Sequence, residues 1–175
     1  MAIARATALG MTIVELLVTL AVMMVLASLA YPSLQAMRAE QTVAQVADRL
    51  ALSLAMGRSA AAARTRGTIM RPLDGTASFD TGWQVEAADR PGAPLAVVAL
   101  DQRCLQIALR GTRVARPGEG GPHIRWTGVG YSRSEHGGLF SATFVVRCRG
   151  AQRQVRLGAQ GRIRVCRPGS GRGCD

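Results

Sequence analysis

The residues best suited to chemistry in this sequence are guanidinium groups. Arg147, Arg149, Arg153, Arg156, Arg162, Arg164, Arg167 and Arg172 fall within 26 residues, and no acid interrupts them before Asp175. A planar, permanently charged fork of this kind matches phosphate oxygens. In an extended strand Arg162 and Arg164 share a face, because side chains repeat every two residues. Ile163 and Val165 then face the other way, toward a core. Gly161 has no side chain to hold a ligand backbone off. Arg153, Arg156 and Arg167 are the neighbours expected to help. The chemistry is contact with a polyanion: nucleic acid, anionic lipid headgroup or acidic glycan. An edge strand kept soluble by charge explains the same pattern without any ligand.

The charge is one-sided. Residues 1–101 hold 8 Arg and 8 acids, while residues 102–175 hold 14 Arg against Glu119, Glu135 and Asp175, so the whole net charge of +11 belongs to the C-terminal part. There is no Lys; all 22 basic residues are Arg. A nucleophile elbow, a phosphate-cradling glycine loop and a paired-carboxylate motif are all absent, which argues against an enzyme. His123 and His136 sit beside glycines or Pro, with no second ligand near in sequence, so neither a metal nor another cofactor is expected. Cys104, Cys148, Cys166 and Cys174 form an even set without a C-x-x-C pair. In an oxidising compartment they read as disulfides with three possible connectivities, and a bridge from Cys166 or Cys174 to the rest is expected to hold the Arg-rich end on a sheet.

The elements that must carry these groups begin with an anchor. Gly10 closes a short leader holding Arg5, and residues 11–30 are apolar apart from Glu15. As a helix that run is about 30 Å long, enough to cross a bilayer. An isolated acid there costs roughly 2.5–3.5 kcal/mol on insertion scales, so a role is expected. If Gly10 is the last residue removed, the α-amine of Met11 becomes a cation at the membrane edge. Glu15 can then pair with the amine of a neighbouring copy and set register. The competing reading is a secretory signal cut after Ser28-Leu29-Ala30. Against it stand Glu15 at the mouth of the apolar run and a helical pattern that continues past Ala30.

Tyr31 marks the interface, and Pro32 is expected to bend the helix as it leaves the bilayer. From there to residue 66 the pattern is amphipathic, with Leu34, Met37, Val43, Val46, Leu50 and Leu54 at steps of three and four, and Gly67 as a stop. Beyond it the period changes to two. Strands are expected over 68–73, 82–87, 95–100, 104–109, 123–127, 139–148, 152–157 and 161–166, with a turn at Asp74-Gly75, a loop over 117–122 and a loose tail. The expected organisation is a leader (1–10), a transmembrane helix (11–31), an amphipathic helix (32–66) and a β-rich head (67–175). The fold class is α+β, one long helix packed on a sheet.

The run Gly10-Met11-Thr12-Ile13-Val14-Glu15-Leu16-Leu17-Val18 resembles the prepilin signature of type IV pilins and secretion pseudopilins, with Met11 in place of the usual aromatic and Pro32 lying 22 residues after Gly10. Gly82-Trp83-Gln84-Val85, the stretch from Ile124 to Gly130 and Gly161-Arg162-Ile163-Arg164 resemble the GspH/FimT branch, with the FimT-like minor type IV pilins most similar. The resemblance implies cleavage after Gly10 and N-methylation by a prepilin peptidase. It implies an inner-membrane protein with a periplasmic head, assembled later with other pilins into a fibre. The G-R-x-R match implies binding of double-stranded DNA for natural transformation. The alternative within the family is a structural pseudopilin of type II secretion with no DNA role.

The assembly role is tested directly. Glu15→Ala should leave cleavage after Gly10 intact, giving a mature mass that starts at Met11, but should remove the protein from fibres. Fibre fractions holding the mutant at wild-type levels would exclude that role.

Overall fold

Helix α1 starts where the sequence offers a cap. The Thr12 hydroxyl accepts the backbone N–H of Glu15 at 3.2 Å, the N-cap half of a Thr-x-x-Glu capping box. The structure, a computed structural model, describes residues 12–73, 78–111, 122–133 and 138–169. The Asp74-Gly75 turn, the 117–122 loop, Gly10, Met11, His136 and Cys174 lie outside them. Helix α1 spans Ile13–Arg64 and contains Pro32 within it. It ends on Thr65, which takes the left-handed conformation (φ 52°), rather than at the expected Gly67.

The chain divides into two units, residues 1–37 and 38–175. In the first, residues 12–34 are exposed, and this part of α1 is apolar enough to cross a membrane, with a mean hydropathy of 2.5 over its best 18 residues. Leu34 and Met37, expected to extend the amphipathic stripe, are 47% and 54% exposed. In the second unit the stripe is real. Val43, Val46, Ala47, Leu50, Leu54, Gly57 and Ala61 recur at helical spacing and are buried, as one face of an amphipathic helix requires.

The strands are β1 (Thr68–Pro72), β2 (Gly82–Ala87), β3 (Pro94–Ala99), β4 (Gln106–Gly111), β5 (Ile124–Trp126), β6 (Ser132–Arg133), β7 (Ala142–Cys148), β8 (Ala151–Leu157) and β9 (Ile163–Cys166). They form two antiparallel sheets, ordered β3-β2-β1-β5-β6 and β4-β7-β8-β9. The expectation of one sheet is thereby corrected. Alternation shows which face of a strand is buried but carries no information on its partner. Both sheets and the helix feed a single core, which includes Leu50, Leu54, Met70, Trp83, Trp126, Phe144 and Val155.

Specific contacts lock the layers. A Cβ added to Gly57 would stand 3.0 Å from the Trp126 ring, so the glycine sets how closely the helix lies on β5. The Thr68 hydroxyl donates to the Gly57 carbonyl at 2.8 Å. Phe79 meets Phe144 edge to face at 5.2 Å between ring centroids, and the Asp80 carboxylate accepts the Ile107 N–H. These last two join the first sheet's leading loop to the second sheet.

Cys104 and Cys148 form a disulfide with Cα atoms 4.9 Å apart, closing a separation of 44 residues. This corrects the expected bridge from the Arg-rich end to the rest. The observed bond ties the segment before β4 to the end of β7, strands already paired, and leaves neither Cys104 nor Cys148 for the tail. Cys166 is also disulfide-bonded. Replacing Cys104 and Cys148 together by Ala should lower stability by about 2–4 kcal/mol, as loop closure on this scale predicts. Urea unfolding measures it, and an unchanged midpoint would show that the strand pairing alone holds this end.

Candidate nucleic-acid interface

Strand parity decides which arginines can act together. Strand β8 is joined to β7 by Arg149-Gly150, with φ of 45° and 88°, the two left-handed residues of a tight hairpin. Register then fixes the faces. Val155 pairs with Phe144 and Val165, and Leu157 with Ala142 and Ile163, so these residues face the core side. Arg156 pairs with Thr143 and Arg164 on the opposite, outer side.

Arg162 and Arg164 are exposed, as the sequence pattern expects. Arg162 leaves a tight turn in which Gly161 N–H donates to the Gly158 carbonyl and Gly158 N–H to the Arg162 carbonyl, both at 2.8 Å. Arg156 is half-buried and donates to the Gln154 side-chain oxygen at 3.3 Å. Together Arg156, Arg162 and Arg164 rim a shallow hollow of about 420 Å³, floored by Gly111, Ser141, Ala142, Thr143, Leu157 and Gly158. Among the described residues no carboxylate lines it. None of the ion pairs among the described residues involves Arg162 or Arg164.

The other expected residues go elsewhere. Arg153 is three residues from Arg156, hence on the core side, with a side chain only 17% exposed; it pairs with Glu40 of α1 at 3.2 Å. Arg167 pairs with the same carboxylate at 3.1 Å. Glu40 was not visible as a partner because it lies more than a hundred residues away in sequence. Gly161 has a role in the fold. Its φ is 77°, it accepts a hydrogen bond from Arg58 at 3.0 Å, and a Cβ there would stand 2.7 Å from Arg58 and from the Gly130 carbonyl. Val165, expected in the core, is 42% exposed because β9 is the sheet's edge and covers only Ile163 well.

A second basic hollow, about 520 Å³, lies beyond the end of α1 among Arg64, Arg66 and Arg90. It is a poorer anion site because Asp89 lines it. The hydrogen bond from Arg66 holds the Asp89 carboxyl below its usual range, so this acid stays ionised. Among the described residues no group of three His, Cys, Asp or Glu side chains is placed to hold a metal.

The long helix and antiparallel sheets define a pilin-like α+β fold. In solved structures the chain is similar to the type IV minor pilin FimU of Pseudomonas aeruginosa PAO1. One crystal form matches at 18% identity with a TM-score of 0.55, covering 72% of this chain and 89% of that one. A second form matches at 19% identity and a TM-score of 0.51, covering 70% and 90%. No family model matches the sequence, and no curated protein matches it.

The Glu40 pairings carry a stability prediction. Glu40→Gln strands a largely buried guanidinium whose Nη1 already lacks a hydrogen-bond partner among the described residues. A buried pair broken this way costs about 3–5 kcal/mol, but Glu40 is 41% exposed, so about 1–2 kcal/mol is expected. Thermal unfolding measures it; a wild-type midpoint would show the pair to be screened.

Proposed function

We propose that this chain is a minor pilin that enters a fibre through its apolar helix and uses its head to bind double-stranded DNA with little sequence preference. The observation that carries the DNA part is the hollow rimmed by Arg156, Arg162 and Arg164, which has no carboxylate among its described residues and faces away from the core. The pilin part is supported by the fold shared with a minor pilin and by the membrane-length apolar stretch of α1. On this reading a prepilin peptidase cuts between Gly10 and Met11, Glu15 guides assembly with other pilins, and the head stands in the periplasm before assembly.

The mechanism is electrostatic. Each phosphate contacted by an arginine releases condensed counterions, so log affinity falls with log salt by roughly 0.9 per phosphate. The three arginines of this rim therefore contribute about −2.7 to the slope, with affinity on the order of 10⁻⁴–10⁻⁶ M near physiological salt. Between Arg147 and Arg172 there is no aromatic side chain, so base stacking adds little there. A second reading, a structural pseudopilin without a DNA role, is favoured by one fact: Arg153 and Arg167 are already engaged by Glu40.

The full chain in nonionic detergent, titrated with duplex DNA at several salt concentrations, separates the two. The double variant Arg162→Gln/Arg164→Gln should bind about tenfold more weakly on every sequence and show a slope shallower by about 1.8, with its fold unchanged. In cells it should lower DNA uptake and leave fibres in place. Wild-type affinity in the double variant would displace the site. No binding by the wild type at low salt would leave the structural reading.

A further inference from the structure

We infer that Arg110 belongs to the same site, and that the site is a row of guanidinium groups running across the second sheet to contact both backbones of a duplex. This rests on the DNA-binding reading. The register carries it. Arg110 of β4 pairs with Thr143 of β7, Thr143 with Arg156 of β8, and Arg156 with Arg164 of β9. Directly paired residues share a face, so all four side chains stand on the outer side of the sheet.

The row has a length and a gap. With strands about 4.8 Å apart, Arg164 lies about 5 Å from Arg156 at the backbone, and Arg110 lies about 10 Å from Arg156 and about 14 Å from Arg164. Among the described residues Thr143 alone stands between Arg110 and Arg156 in the row, beside the hollow's floor of Ser141, Ala142 and Gly111. The middle of the row is thus low and the two ends are basic. The minor groove of B-DNA is about 6 Å wide and the major groove about 12 Å. The gap accommodates the narrower groove, with one backbone against Arg110 and the other against Arg156 and Arg164. The wider groove is spanned by the distance of about 14 Å from Arg110 to Arg164.

Charge points the same way. Like charges directly opposite each other weaken a sheet, yet Arg156 and Arg164 are direct partners. Among the described residues no ion pair involves Arg110 or Arg164, and both are exposed. Arg110 and Arg164 are thus open to a polyanion lying along the row. A duplex holds two backbones rigidly and meets both ends of the row together, whereas a flexible single strand must first be ordered to do so, so Arg110 contributes more to duplex than to single-strand binding.

The test uses the full chain in nonionic detergent, with a short duplex and one of its isolated strands as probes. Arg110→Gln should weaken duplex binding about three- to tenfold and flatten the salt slope by about 0.9, with a smaller loss on the single strand. Arg110→Lys should retain the wild-type slope, and Arg90→Gln, in the other hollow, should change nothing. Equal losses on duplex and single strand would overturn the two-backbone assignment. So would duplex binding unaffected by Arg110→Gln while Arg162→Gln/Arg164→Gln weakens it, a result that leaves the DNA reading standing. No DNA binding by the wild type would end both.

Discussion

The buried stripe of α1 determines where both sheets can stand, and its closest approach is at Gly57, against the face of Trp126. Any side chain at 57 would push the helix off β5. The indole nitrogens of Trp126 and Trp83 are buried without hydrogen-bond partners among the described residues. An unmade hydrogen bond of that kind costs about 1–3 kcal/mol, so these rings are retained for the area they bury. In a chain with so few aromatics, two fully buried tryptophans and the Phe79–Phe144 contact supply much of the core's bulk.

Once the helix is placed, the sheets have only one free side each, and strand parity sorts the arginines. Those with the parity of Val155 and Leu157 meet the helix and need a carboxylate. Those with the opposite parity meet solvent. Arg153 and Arg156 are close in sequence yet have opposite fates for this reason. Glu40 is the carboxylate that the first group requires, and it stands next to Ala39, the first buried residue of the stripe.

The same logic explains how the head tolerates its charge. Arg66, Arg71, Arg153 and Arg167 are matched by Asp89, Glu86 and Glu40. Glu86 is almost wholly buried, and it also accepts the Gly92 N–H at 3.1 Å, so the β2–β3 turn depends on it. Arg110 and Arg164, on the outer face of β4 and β9, take part in no ion pair among the described residues, and like charges on one sheet face are an electrostatic cost to folding.

Much of this molecule was legible in the sequence because it depends on local order. The apolar run, the helical period from Val43 to Leu54, the switch to period two, and the shared face of Arg162 and Arg164 all follow from spacing along one segment. The pairing of strands was not legible, since alternation is the same whichever neighbour a strand finds. For that reason the division into two sheets, the Cys104–Cys148 bond and the row through Arg110 emerged only with tertiary structure. Gly161 shows the limit from the other side. A glycine before two arginines reads as room for a ligand, yet the space is filled by Arg58 from a helix a hundred residues earlier. What the chain determined by itself was which residues are apolar, charged or turn-forming at each period. Which of them meet was decided by packing, because contacts between distant segments form only when the helix and both sheets bury a common core.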